Sequence, residues 1–180
     1  MQFDFSRNYF ELFDLPASFE VDQSQIEQKY RDLQSAWHPD RYADADDGAR
    51  RLAVQTTSFI NEAYQVLRDE QTRARYLLQL KGVEFDEDKD TTQDMEFLMS
   101  QMQLREQIDE AEQHEDPLAR VDQLEVDAKD HYLQLQDQFV ECFTGEEWEQ
   151  AKETVLKMQF FKRLRQQIAQ KQEQLEEQLL

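Results

Sequence analysis

Glycine and proline are scarce in this sequence, which has three of each among its 180 residues. Together these two residue types normally make up about 12% of a soluble protein. Because both mark turns and interrupt helices, their scarcity predicts a small number of long elements. Glutamine, glutamate, leucine, lysine and arginine, which favour the α-helix, are abundant instead. The composition therefore predicts an all-α protein.

Cysteine is nearly absent, since Cys142 is the single residue of its type. One thiol cannot form an intramolecular disulfide, and no CxxC pair is present to bind zinc or carry out thiol redox chemistry. We expect Cys142 to pack as a small apolar side chain.

Positive charge is also in short supply. The sequence has 20 lysines and arginines against 40 aspartates and glutamates, and its formal net charge is −20. Lysine and arginine drive the binding of phosphates and of anionic membranes, so the composition predicts no nucleic-acid partner and no membrane partner. There is no basic segment followed by an apolar run at the start, and no stretch of about 18 consecutive apolar residues. We expect a soluble, cytoplasmic protein.

The first 80 residues have the apolar spacing of helices. Four helices are predicted, at residues 8–15, 22–37, 49–67 and 72–80. The second of them carries apolar or aromatic residues at i, i+4, i+7 and i+11, which form one buried stripe. It must end near Trp37, because His38 precedes Pro39 and a residue before proline avoids the α conformation.

The second half of the chain has the pattern of three longer helices. They are predicted at residues 92–115, at residues 117–144, and from about residue 147 almost to the C-terminus. Asp116 and Pro117 match an N-cap residue followed by proline at the first helical position. A charged segment, residues 81–91, separates these helices from the first four. Three helices of this length form a small antiparallel bundle.

The helix predicted at residues 92–115 has two apolar faces, whereas a bundle helix needs only one buried stripe. One face holds Phe97, Leu104, Ile108 and Ala111, and the opposite face holds Leu98, Met99 and Met102. In the last helix, Phe160 likewise points away from the main stripe. We expect the residues in excess to form an exposed apolar patch, which is typical of a binding site. The spacing equally allows one of these faces to pack on the N-terminal domain.

The tripeptide His38-Pro39-Asp40 lies between two predicted helices. Pro39 fixes one backbone torsion angle, and His38 and Asp40 offer a donor and an anionic acceptor to a partner. Alternatively, Asp40 caps a turn and His38 is an ordinary exposed side chain. The sequence on either side of the tripeptide decides between these two interpretations. Trp37, Arg41, the segment YFELFDLP at residues 9–16 and INEAYQVL at residues 60–67 together resemble a J domain over residues 6–80.

The J-domain resemblance implies a helical hairpin with short flanking helices. Its loop would display His38, Pro39 and Asp40 to the ATPase domain of a DnaK-like chaperone. J domains usually carry a basic face beside this loop, and the residues that match it are Lys29, Arg31 and Arg41. Because acidic residues are interspersed there, a mixed-charge solvated face is an equally good interpretation.

Three further segments resemble the HscB family, the co-chaperones of iron–sulfur cluster assembly. They are RARYLLQLKG at residues 73–82, FLMSQMQLREQIDE at residues 97–110 and VLKMQFFKRLRQQ at residues 155–167. The resemblance implies a J domain at residues 1–80, a linker at residues 81–91 and a scaffold-binding three-helix domain at residues 92–180. It implies two partners, an HscA-class chaperone and an IscU-type iron–sulfur scaffold protein. No zinc-ligand cysteine cluster precedes the J domain, which is typical of the bacterial form.

The same resemblance implies which residues dock the scaffold. The apolar contacts would come from Leu98, Met99, Met102 and Phe160, and the polar contacts from Gln103, Glu106 and Glu110. Close relatives often have leucine and glutamate where this chain has Met102 and Gln103. The first difference keeps the apolar character, whereas the second removes a charge.

Other classes of protein fit less well. A J-domain protein that serves general unfolded clients is a second interpretation, but the specific patch argues against it. A di-iron bundle needs Glu-x-x-His on two helices, whereas Ala111 and Ala128 stand three residues before His114 and His131. No GxxxxGK[ST] or GxGxxG motif is present, so the ATPase must be the partner. We therefore expect no enzymatic activity, no metal and no cofactor.

Overall fold

The computed structural model describes residues 3–86, 90, 92 and 94–178. All regular elements among these residues are helical, which confirms the all-α prediction. The chain divides into two compact units, Met1–Leu77 and Leu78–Leu180. Of the predicted linker, residues 87–89 and 91 lie outside the described residues. No helix in the described ranges is long and apolar enough to cross a membrane.

The elements of the first unit are built around a hairpin of two long helices. The helices are α1 (Tyr9–Leu12), α2 (Gln23–Trp37), α3 (Asp47–Arg68) and α4 (Glu70–Leu80), with a 3₁₀ turn at Pro39–Tyr42, and the last three residues of α4 fall in the second unit. The boundaries of α2 and α3 are set by caps. The Asp22 carboxylate accepts from the Ser24 N–H, and the Asp46 carboxylate accepts from the Ala49 N–H, both at 2.9 Å. Because Asp46 caps it, α3 starts two residues earlier than predicted.

The hairpin of α2 and α3 is held by apolar packing and by aromatic pairs. Ile26 of α2 and Ile60 of α3 are fully buried, and burial of such a side chain contributes about 1.5–3 kcal/mol. Tyr30 stacks on Tyr64 with ring centroids 4.0 Å apart, and the Tyr30 hydroxyl donates to Asn61 Oδ1 at 2.9 Å. The two helices are therefore fixed to each other along most of their length.

The second unit contains α5 (Met95–Asp109), α6 (Pro117–Thr144) and α7 (Trp148–Gln178), with a 3₁₀ turn at Glu110–Gln113. The tight turn between α6 and α7 makes them an antiparallel pair, and they form the largest packed interface of the unit. Their shared core includes Phe139, Val155, Met158, Leu164 and Ile168.

The prediction of a helix over residues 92–115 was too long at both ends. The Asp94 carboxylate accepts from the Phe97 N–H at 3.0 Å, so Asp94 is the N-cap and α5 begins at Met95. At the other end the chain tightens into the 3₁₀ turn after Asp109, which brings Ala111 into the core.

The prediction that Phe160 is exposed was wrong. Its side chain is only 9% exposed, and nearly all the apolar residues around it in α7 are buried. The reason is that α7 has neighbours on two sides. Phe97 of α5 packs edge-on against Phe160 at 5.5 Å, while His131 of α6 stacks on Phe161 at 5.3 Å. The two sides of one helix are thus covered by different helices.

Candidate functional site

The His-Pro-Asp loop follows directly on the last turn of α2. His38 has φ −57° and ψ 130°, an extended conformation that ends the helix before Pro39, as the sequence predicts. Pro39 then opens the 3₁₀ turn. Two local bonds order the tripeptide. The Asp40 N–H donates to His38 Nδ1 at 3.3 Å, and the Arg41 N–H donates to the His38 carbonyl at 3.0 Å.

The loop presents its charged groups to solvent. The side chain of Asp40 is 90% exposed, and that of His38 is 52% exposed. The Asp40 carboxylate lies 3.5 Å from His38 Nδ1. Because this nitrogen accepts the Asp40 N–H, the ring proton of neutral His38 belongs on Nε2, where it remains available as a donor. The loop therefore displays one anionic acceptor and one donor side by side.

Trp37 anchors the loop in the core of the first unit. Its side chain is 6% exposed, and Tyr42, at the end of the 3₁₀ turn, stacks on it with a centroid distance of 6.1 Å and an interplanar angle of 10°. The Thr57 hydroxyl of α3 donates to the Trp37 carbonyl at 3.0 Å. The start and the end of the loop are thus tied to the same part of the hairpin.

Arg41 connects the loop to the end of α2. Its guanidinium Nη1 donates to the Ser35 carbonyl at 2.7 Å, in the last turn of α2. A helix leaves its last carbonyls without partners and has a partial negative charge at that end, so a cation there is favourable. One of the three basic residues selected from the sequence is therefore bonded to the end of α2 that leads into the loop.

The other two basic residues are already ion-paired. Lys29 pairs with Asp14, whose other carboxylate oxygen pairs with Arg7 at 3.2 Å. The hydrogen bond from Lys29 is the main cause of a lowered pKa at Asp14. Arg31 lies 3.8 Å from Glu27, and its side chain is 61% exposed. The charge of this face is thus largely offset by neighbouring carboxylates, in line with the mixed-charge interpretation.

Contacts of Lys157 of α7 with Asp94 and Phe97 join the start of α5 to α7, and we call these contacts the clasp. Lys157 donates to Asp94 Oδ2 at 2.7 Å, and the same ammonium group lies 5.2 Å from the Phe97 ring centroid. The hydrogen bond from Lys157 is the main cause of a lowered pKa at Asp94. Phe97 in turn packs against the aromatic pair of α7, Phe160 and Phe161. The clasp and the aromatic contacts fix which side of α5 faces inward.

The outward side of α5 carries three methionines. Met95, Met99 and Met102 are 68%, 62% and 73% exposed, and their i, i+4, i+7 spacing aligns them along the helix. We call these three residues the methionine face. The sequence interpretation identified Met99 and Met102 but missed Met95. The signal that could have identified Met95 is its position four residues before Met99, on the same side of the helix.

The remaining residues selected on α5 surround the methionine face. Leu98 is half-buried, and Gln103, Glu106 and Glu110 are exposed. Gln103 also lines a groove of about 350 Å³ between α5 and α6, together with His131 and Lys157. Phe160 lies beneath α5 instead, and the guanidinium of Arg105 sits 5.6 Å from its ring centroid. The structure thus places five of the seven selected residues on α5 and Glu110 at its C-terminal cap, whereas Phe160 of α7 lies underneath.

The described part of the chain offers no cluster of metal-binding side chains. Among the described residues, no group of three or more His, Cys, Asp and Glu side chains is arranged to hold a metal ion. Cys142 is buried, and this burial is the main cause of its raised thiol pKa. The thiol is therefore poorly ionised near neutral pH.

Comparison with protein families agrees with this geometry. Residues 8–76 match the family model of the DnaJ domain. An α2–α3 hairpin that displays an ordered, exposed His-Pro-Asp loop defines the class of J-domain proteins. Residues 93–179 match a second family model, described as the HSCB C-terminal oligomerisation domain.

Relatives that match nearly the whole chain identify the family to which it belongs. The chain is 41% identical over 177 residues to the co-chaperone protein HscB homolog of Vibrio cholerae serotype O1 strain M66-2, covering 96% of this chain and 99% of that protein. Its fold is similar to that of chaperone HscB from Vibrio cholerae (TM-score 0.86, 37% identity, 97% of this chain and 100% of that one). It is also similar to the human co-chaperone protein HscB (TM-score 0.85, 31% identity, 93% and 83%). The chain belongs to the HscB family of co-chaperones.

Proposed function

We propose that this protein stimulates the ATPase of an HscA-class, DnaK-like chaperone and delivers an IscU-type iron–sulfur scaffold protein to it. The chaperone is engaged by His38, Pro39 and Asp40, and the scaffold by the outward side of α5. The observation that carries the proposal is the Asp40 carboxylate, which is 90% exposed on a loop that is otherwise tied down. The iron–sulfur cluster is the cargo of the partners.

The loop is suited to act as a preorganised contact. An exposed carboxylate gains most from a cation of the partner, because a charge-assisted hydrogen bond is about twice as strong as a neutral one. Pro39 and the bond from the Asp40 N–H to His38 reduce the number of conformations lost on binding. Arg41 acts indirectly, since its guanidinium is engaged at the end of α2.

Of the basic residues beside the loop, Arg31 is the best placed to touch the chaperone. Its side chain is 61% exposed, and its ion pair with Glu27 is long, at 3.8 Å. Lys29 is more enclosed and is held by Asp14, so a contact from Lys29 requires that this pair open. We therefore rank the contribution of Arg31 above that of Lys29.

The scaffold is bound by apolar contacts with an acidic border. Met99, Met102 and the half-buried Leu98 supply the apolar area, and methionine adapts well to a partner surface. Glu106 and Glu110 continue the same side of α5, so the partner surface should be apolar with basic residues at its edge. Phe160 supports this side of α5 from below through Phe97.

The two sites belong to one chain, which gives the protein its function as an adaptor. Once the scaffold is bound, its encounter with the chaperone becomes intramolecular, and its effective concentration rises to about the millimolar range for a short connection. Hydrolysis of ATP by the chaperone then clamps the scaffold and promotes cluster transfer.

Single-turnover ATP hydrolysis by the HscA-class chaperone, with and without scaffold, tests the proposal. Asp40→Asn should abolish stimulation, whereas the matched control Asp44→Asn, in the same exposed loop, should stimulate like the wild type. Met99→Ala/Met102→Ala should keep basal stimulation and lose the additional effect of the scaffold. Full stimulation by Asp40→Asn would refute the first half of the proposal.

A second pair of variants controls for loss of apolar surface. Val126 and Leu133, on α6, are 52% and 46% exposed and lie outside the proposed site. Val126→Ala/Leu133→Ala should leave the scaffold effect unchanged. In a competition assay, unfolded polypeptide and unlabelled scaffold are each added to displace bound, labelled scaffold. If both displace it equally well, the protein serves general clients instead.

A further inference from the structure

The methionines of this chain are distributed unevenly between surface and core. The sequence contains five, and three of them form the methionine face. Met95, Met99 and Met102 are each more than 60% exposed, whereas Met158 of α7 is fully buried. Three exposed thioethers on consecutive turns of one helix are a concentrated target for any reagent that attacks sulfur from solvent.

The chemistry of that attack is simple. With hydrogen peroxide, the thioether sulfur bonds to one peroxide oxygen, the O–O bond breaks, and water leaves after proton transfer. The sulfur loses two electrons to become a sulfoxide, and the peroxide gains them. The product is polar and chiral, and sulfoxide reductases return it to the thioether.

We propose that Met95, Met99 and Met102 form an oxidation-sensitive modification site, at which peroxides convert the scaffold-docking side of α5 into a sulfoxide surface that releases the scaffold. The consequence for the scaffold rests on the docking function proposed above. The modification itself rests on the exposure and spacing of the three side chains.

Other oxidisable sulfur in the described chain is protected. Met158 has no exposed surface, and Cys142 is 8% exposed. Burial also raises the pKa of the Cys142 thiol, so the reactive thiolate is scarce. Within the described ranges, oxidation by peroxide is therefore directed to the methionine face.

Oxidation at this face leaves the helix bundle intact. The inward side of α5 packs through other residues, including Phe97 and the buried Ile108, and none of the three methionines contributes to the core. Oxidation of these methionines should therefore weaken scaffold binding without unfolding the bundle. Each sulfoxide oxygen buried without a partner should weaken scaffold binding about tenfold.

The experiment uses the full chain, hydrogen peroxide as the oxidant and an IscU-type scaffold protein as the probe. Wild type and Met95→Leu/Met99→Leu/Met102→Leu are treated, and the peroxide is removed with catalase before scaffold is added. Peptide mass spectrometry locates the sulfoxides, circular dichroism checks the fold, and calorimetry measures scaffold binding. Treated wild type should be oxidised on α5 and not at Met158, and should bind at least tenfold more weakly.

The controls separate the two proposals. Sulfoxide reductase should restore binding by treated wild type, and the leucine variant should bind equally before and after treatment. Oxidation of Met158 to the same extent as α5, or unchanged binding by fully oxidised protein, would overturn the inference. If untreated wild type does not bind the scaffold, the docking function fails, and the peptide map alone still decides the modification site.

Discussion

Replacing Phe160 with alanine tests the main difference between the sequence interpretation and the structure. Phe160 is 9% exposed, and its ring centroid lies 5.5 Å from that of Phe97, 5.3 Å from that of Phe161 and 5.6 Å from the Arg105 guanidinium. A Phe→Ala change in a core costs about 3–5 kcal/mol. We expect the lower value, about 3 kcal/mol, because a single arginine side chain can settle into part of the cavity.

Two variants calibrate this expectation. Phe160→Leu keeps most of the volume and should cost about 1 kcal/mol of unfolding free energy. Met99→Ala, at a side chain that is 62% exposed, should cost no more than about 0.5 kcal/mol and should weaken scaffold binding instead.

Urea unfolding followed by circular dichroism measures these changes, and hydrogen exchange locates them. At a typical urea dependence of about 1–3 kcal/mol per M, Phe160→Ala should lower the unfolding midpoint by about 1–3 M. The α5 and α7 amides should lose protection, whereas those of α2 and α3 should not. If Phe160→Ala unfolds like the wild type and yet loses scaffold binding, the ring belongs to the exposed docking surface and its burial is refuted.

Three further perturbations follow from the contacts of the two sites. Arg41→Ala removes the guanidinium at the end of α2, so a chaperone titration should need several-fold more protein for half-maximal ATPase stimulation, while the plateau stays the same. The pKa of Asp94 is lowered in the folded state by Lys157, so this pair stabilises the fold above about pH 4 and ceases to do so as the pH falls through the folded-state pKa. The difference in urea midpoint between wild type and Lys157→Met should therefore shrink on acidification, and a constant difference from pH 6 to pH 2 would contradict the clasp. Glu106→Gln/Glu110→Gln should make scaffold binding weaker and less sensitive to salt, and an unchanged salt dependence in calorimetry would show that these carboxylates are not at the interface.

Much of the local structure is readable from the sequence because its causes are local. The end of α2 follows from the clash between Pro39 and a helical His38, and the start of α6 follows from Asp116 and Pro117. The inward face of α5 follows from apolar spacing. Met95 belonged to the same pattern and was recoverable from it.

The placement of Phe160 depended on tertiary structure. A helical wheel counts the apolar faces of one helix, but it does not show how many neighbouring helices will cover them. α7 has α5 on one side and α6 on another, so a residue that points away from the main stripe is still buried. Arg41 is exposed, as expected for a surface cation, but its guanidinium also donates to the Ser35 carbonyl of α2, a bond that motif comparison does not reveal. The sequence determined the helices, the loop and the family resemblance, because each depends on neighbouring residues or on motif spacing. Tertiary packing decided which of the selected side chains remain on the surface, because exposure depends on residues distant in the chain.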